Sequence, residues 1–183
     1  MFIFSTAQTI DLPYEPSDEQ PYGIVHPEMA DQLRDFAPMI GTCDCKSINR
    51  NPDGTWNDTL DLEWKFKYIL NGTSIQDETW KSDGSSASSI RQFVNDSIGW
   101  AVTYFSVPFS SATPGTWTGG KSGDDVVLVM LQKAPNGFEG FSRLTFYNID
   151  ETGFDWKGEW VDKADGSGQV AYAFWKIFCE KRE

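Results

Sequence analysis

Leu60-Asp61-Leu62-Glu63-Trp64-Lys65-Phe66-Lys67-Tyr68-Ile69-Leu70-Asn71-Gly72-Thr73-Ser74-Ile75-Gln76-Asp77-Glu78-Thr79-Trp80 is the stretch from which the fold can be read. Every even position from Leu60 to Leu70 is apolar or aromatic. Asp61, Glu63, Lys65 and Lys67 occupy the odd ones, with Ile69 the single exception. Period-two alternation of this length predicts a long strand with one wet face and one buried face. Asn71-Gly72 follows at once, and a two-residue Asn-Gly loop predicts a tight hairpin. Opposed positions in such a hairpin share a constant sum, set here by Leu70 and Thr73. Tyr68 therefore faces Ile75, Phe66 faces Asp77 and Trp64 faces Thr79. Directly opposed residues lie on the same face of a sheet, which puts Asp77 on the aromatic face. A carboxylate there needs a partner or a function.

The rest of the chain repeats this pattern. After Gly41, runs of strand-forming residues alternate with turn chemistry: Asn51-Pro52-Asp53-Gly54, Ser82 to Ser86, Asp96-Ser97, Thr113-Pro114-Gly115, Gly119 to Gly123, Pro135-Asn136-Gly137, Asp150 to Gly153 and Asp165 to Gly168. About ten strands with short links predict an all-β fold, a single closed up-and-down antiparallel β-barrel, because closure removes the exposed edges of so wide a sheet. His26-Pro27-Glu28 opens one short helix whose apolar stripe is Met29, Leu33 and Phe36, and Pro38 ends it. That helix is expected at the barrel mouth. Residues 1–25, with Pro13, Pro16 and Pro21, read as an extended arm, either packed through Tyr14 and Tyr22 or partly disordered, and residues 26–183 as the barrel domain. Exchange of the arm with a neighbouring subunit would make a homodimer.

Composition bounds the chemistry. The 183 residues carry a formal net charge of −12, which repels polyphosphate and argues against a nucleic-acid partner. No apolar run approaches the ~18–20 residues of a membrane-spanning helix, so no membrane partner is expected. The first residues lack a basic n-region and a sustained apolar h-region, and the cysteine count of 3 is odd, which together predict reduced thiols and a cytoplasmic protein. Cys43 and Cys45 share one strand face, Cys179 lies on the last strand where barrel closure could bring it near them, and all three are expected as inert buried thiols. His26 is the only histidine, so no metal set, no haem ligand on a late strand and no other cofactor is expected. Gly119-Gly120-Lys121-Ser122-Gly123 lacks phosphate-loop spacing and reads as a hairpin loop.

A resemblance adds to this reading. Phe36-Ala37-Pro38-Met39-Ile40-Gly41-Thr42, Tyr68-Ile69-Leu70-Asn71-Gly72, Ile75-Gln76-Asp77, Trp80, Arg143 to Ile149, Phe154-Asp155-Trp156 and Phe174-Trp175-Lys176-Ile177 together resemble a bacterial family of calycin-like barrel proteins of no assigned function, similar in shape to lipocalins and fatty-acid-binding proteins. The Gly-Thr pair opening the first strand resembles the lipocalin Gly-X-Trp start, with Cys43 where that pattern has tryptophan. The resemblance implies a closed barrel with a central apolar cavity and implies no reaction.

The candidate site follows from Asp77. Its available cations are Arg91, on the next strand, and Arg143, further round. The parity of Arg91 is open, because Ile90 and Val94 oppose Arg91 and Phe93. If Arg91 points inward, Asp77 and Arg91 form the polar centre of the cavity; the alternative is a buried pair that satisfies itself and fixes register. Trp64, Phe66, Tyr68, Tyr104, Tyr147 and Trp156 are candidate lining residues, since polar-tipped aromatics offer apolar area with one handle. The expected function is binding of a small hydrophobic or aromatic ligand that carries a polar group. The alternative is a cofactor-free cyclase, isomerase or dehydratase using Asp77 as acid or base with Tyr104 or Arg91. A filled, purely structural barrel is the third reading.

Overall fold

The computed structural model describes residues 10–183; the first part of the expected arm lies outside the described residues. Ten strands follow one another: β1 Gly41–Asn49, β2 Leu60–Ile69, β3 Ser74–Lys81, β4 Ser86–Asn95, β5 Gly99–Val107, β6 Thr116–Ser122, β7 Asp125–Leu131, β8 Phe141–Tyr147, β9 Gly153–Val161 and β10 Ala171–Lys181. Each pairs antiparallel with its sequence neighbours, and β1 pairs with β10 to close the barrel. Closure leaves no strand edge unpaired.

The β2–β3 hairpin has the register read from its sequence. Tyr68 opposes Ile75, Phe66 opposes Asp77 and Trp64 opposes Thr79. Its turn differs from expectation. The last pair is Ile69 with Ser74, so the loop comprises Leu70, Asn71, Gly72 and Thr73, and the first three are left-handed, with φ of 53°, 54° and 76°. The longer loop keeps the same sum, so the register survives the change of turn. The arm holds this loop from outside: His26 N donates to Gly72 O at 2.9 Å, Tyr14 N to Asn71 Oδ1 at 3.1 Å, and Asn71 N to the Glu15 carboxylate. Beyond the start of β1, Tyr22 takes over as a neighbour of β2, its carbonyl accepting from Tyr68 N at 2.8 Å. The described part of the arm is thus docked on its own chain.

The expected helix is broken into shorter pieces. A 3₁₀ turn over Pro27–Met29 leads into the single α-helical turn α1, Ala30–Leu33, and a second 3₁₀ turn covers Ala37–Met39. Pro38 therefore sits inside a turn that it helps to start, a place its fixed φ suits. Leu33, Phe36 and Met39 are fully buried. They plug the barrel end where the β4–β5 turn lies, and Trp100 Nε1 donates to Asp35 Oδ2 there at 3.1 Å.

Two further expectations are corrected. Gly119 to Ser122 belong to β6 and do not form a loop. Gly119 is where two backbones approach too closely for a side chain: a Cβ there would lie 2.2 Å from Val127 O. The cysteines are not all free thiols. Register places Cys45 directly opposite Cys179 across the β1–β10 seam, and the two form a disulfide. Cys43 remains a buried thiol, pushed up to about 11 chiefly by burial. The disulfide removes the support that reduced thiols lent to a cytoplasmic location. Among the described residues, no helix is long and apolar enough to cross a membrane.

The arm–hairpin contact is testable at Gly72, where a Cβ would meet Ile24 O at 2.3 Å and His26 N at 2.6 Å on a left-handed backbone. Gly72→Ala is expected to cost about 2 kcal/mol or more in urea unfolding. Hydrogen exchange should show lost protection at the His26 and Tyr68 amides while the β8–β9 amides keep theirs.

Candidate functional site

Alternation along the strands selects the inward side chains, and these divide the barrel interior into two halves. Toward the plug, Phe36, Phe66, Phe146 and Phe154 pack ring against ring, with Phe36 edge-on to Trp100 at 4.8 Å and to Phe146 at 5.5 Å. Toward the other end the interior stays open. A cavity of about 750 Å³ extends from Trp64, Asp77, Arg91 and Phe146 to the β5–β6 loop at Thr113–Gly115 and to Gln132 after β7. That volume falls in the range of small-molecule sites, roughly 300–1,000 Å³.

The floor of the cavity is polar and fully built. Asp77 is 3 % exposed and Arg91 2 %. Asp77 Oδ2 accepts from Trp64 Nε1 at 2.7 Å and from Arg91 Nη2 at 2.9 Å, while Oδ1 accepts from Ser89 N at 2.6 Å. Three neighbouring strands meet in this cluster: Trp64 from β2, Asp77 from β3, Ser89 and Arg91 from β4. The rest of the guanidinium faces rings. Its central carbon lies 5.0 Å from the Phe66 ring, 5.1 Å from Phe36 and 5.7 Å from Phe146, all within cation–π range. Nε and Nη1 have no hydrogen-bond partner among the described residues, so these rings are what offsets their desolvation. The open parity of Arg91 resolves inward: it stands opposite Ile75 and Val102, both buried.

The walls are aromatic. Trp117 Nε1 donates to Ser142 Oγ at 3.1 Å and Trp175 Nε1 to Ser47 Oγ at 2.8 Å. Trp156 packs edge-on to Trp175 at 5.0 Å and to Trp64 at 6.2 Å, and Tyr104 edge-on to Trp117 at 6.3 Å. Burial pushes the Tyr104 phenol up; the Ser106 hydroxyl opposes this and the Asp77 charge adds to it.

Of the residues singled out from the sequence, Trp64, Asp77, Arg91, Tyr104 and Trp156 come together on this cavity. The others do not. Phe66 points inward but lies behind Arg91, in the packed half. Tyr68 points inward at the plugged end, near the arm, with its phenol pushed up by burial. Arg143 and Tyr147 are on the outer face, because Ser142, Leu144 and Phe146 take the inward positions of β8. Arg143 Nη2 donates to Glu159 at 3.0 Å, Lys157 reaches the same carboxylate at 3.2 Å, and the backbone at Gly166 closes over the guanidinium. Trp117, Trp175 and Leu128 line the cavity and were not anticipated. Alternation from Trp175 through Ile177 to Cys179 marks the second of these; Trp117, among glycines and threonines, leaves no periodic signal.

No family model matches this chain, and no curated protein matches it. Among solved structures, the chain is similar to the crystal structure of Rv2717c from M. tuberculosis, with a TM-score of 0.57, 12 % identity, and coverage of 87 % of this chain and 99 % of that one. A redesigned β-barrel also aligns, at a TM-score of 0.35 and 12 % identity over 82 % of this chain and 96 % of the other, too low to support any conclusion. At such identity the first likeness concerns fold alone, and it agrees with the closed ten-stranded barrel.

Breaking the floor cluster on one side leaves a buried charge. Asp77→Ala is expected to lose about 3–5 kcal/mol in urea unfolding, and the double variant Asp77→Ala/Arg91→Met to recover more than half of that loss. A loss under about 1 kcal/mol for Asp77→Ala would show that the pair does not hold the barrel together.

Proposed function

We propose that this protein binds a small, mostly apolar, aromatic or elongated molecule inside the barrel, with the ligand's polar group directed at the floor or at the polar tips of the wall. The observation that carries this reading is the open half of the interior: about 750 Å³ walled by tryptophans in a barrel whose other half is packed with phenylalanine rings. Filling both halves with side chains would bury more apolar surface and stabilise the fold at about 25 cal/mol per Å². Leaving one open is the arrangement of barrels that hold ligands. The calycin-like resemblance supports the same reading.

The enzyme alternative has less support. Both Asp77 oxygens already accept hydrogen bonds from the protein, so the carboxylate is held as a fixed acceptor and is not presented to a substrate proton.

Titration with prodan, an uncharged naphthyl ketone whose emission reports polarity, tests the proposal. Saturable one-to-one binding is expected, with blue-shifted probe emission and quenched tryptophan emission. Ala87→Trp, at a position lining the cavity, should weaken binding by about tenfold or more with little change in melting temperature. Unchanged emission from probe and protein at saturating concentrations would contradict it.

A further inference from the structure

We infer that the cavity selects an uncharged ligand that accepts hydrogen bonds, such as a planar ketone, ester or amide, over a carboxylate or an amine; this rests on the binding reading above. Two observations carry it. The first is charge. Among the described residues, Asp77 and Arg91 are the only charged ones on the cavity lining, and they are paired with each other. An entering carboxylate would lose its hydration and stand near Asp77, and the nearby Lys81 ammonium is not on the lining but lies over the Trp175 ring, 4.2 Å from its centroid. An entering ammonium would meet a carboxylate whose two oxygens already accept three bonds. Either ion is disfavoured by the cost of burying an unpaired charge.

The second is the balance of donors and acceptors left on the wall. Four tryptophans line the cavity, and three have their indole N–H engaged: Trp64 on Asp77, Trp117 on Ser142 and Trp175 on Ser47. Trp156, 5 % exposed and on the cavity lining, donates to no described residue. Tyr104, whose phenol carries its proton at neutral pH, is a second wall donor. Of the acceptors, Asp77 takes three donors and Ser142 Oγ accepts from Trp117, while the lining hydroxyls of Ser89 and Thr79 can donate as well as accept. The indole N–H is a donor only, so Trp156 can be satisfied from the cavity side only by an acceptor. Trp156, packed edge-on with both Trp64 and Trp175, belongs to an aromatic wall of a kind that suits a planar ring system.

Equilibrium dialysis at neutral pH with three shape-matched probes tests this: 2-acetylnaphthalene, 2-ethylnaphthalene and 2-naphthoate. The ketone is expected to bind about tenfold tighter than the ethyl compound, and the carboxylate weaker than the ketone. Trp156→Phe should bring the ketone down to the ethyl compound's affinity while the ethyl compound itself stays within about twofold, a control for an intact cavity. Tyr104→Phe should give a smaller loss of the same kind. Equal binding of ketone and ethyl compound, or tighter binding of the carboxylate, overturns the acceptor assignment and leaves the binding reading standing. Binding of none of the three overturns both. If Trp156→Phe does not fold, the order of the three probes on the unaltered protein decides alone.

Discussion

A carboxylate buried in an aromatic barrel can persist only if donors surround it, and the Asp77 cluster meets that condition with groups from three consecutive strands. Trp64 on β2, Asp77 on β3, and Ser89 with Arg91 on β4 must all be in register for the bonds to close. A one-residue slip of any of these strands would turn its inward set to solvent and leave Asp77 or Arg91 buried without its partner. The cluster therefore specifies the strand pairing as well as contributing to it. Its position also divides the interior, since the guanidinium covers the packed phenylalanines on one side and borders the cavity on the other.

The remaining closures of the barrel follow from that division. The packed half is completed from outside the sheet by Leu33, Phe36 and Met39, and the same end is tied to the β2–β3 turn by the arm. The seam between first and last strands is closed by ladder hydrogen bonds and by the Cys45–Cys179 disulfide. Among the described residues, the end at the β5–β6 loop has no such plug. The result is a barrel filled at one end and open at the other, the geometry that places a hydrophobic site next to polar groups already held in place.

How much of this could be read from sequence depended on how one-sided each strand is. The β2 run has charges on one face and aromatics on the other, so its orientation, its register with β3 and the inward position of Asp77 were all legible. The β4 run is not one-sided: Ser88, Ser89 and Gln92 are polar on both faces, a bulge shifts register between Phe93 and Asn95, and the direction of Arg91 could not be decided from local pattern. The β8 run misled for the opposite reason. Its outer face is covered by Glu159, Lys157 and the loop at Gly166, so Arg143 and Tyr147 are partly buried without facing the interior. Turn conformation was the least legible level. Nothing in Leu70 signals a left-handed residue, and the arm contacts that stabilise its turn come from residues about fifty positions away along the chain.

The central claim is that the Trp64 indole, the Asp77 carboxylate and the Arg91 guanidinium form one closed, buried cluster. Hydrogen exchange of the indole N–H protons, followed by NMR on the folded protein, tests it most directly. The Trp64 Nε1 proton is expected to exchange only through global unfolding, and far more slowly than that of Trp156, whose N–H has no partner among the described residues. Exchange of the Trp64 indole at the rate of an exposed tryptophan would contradict the account.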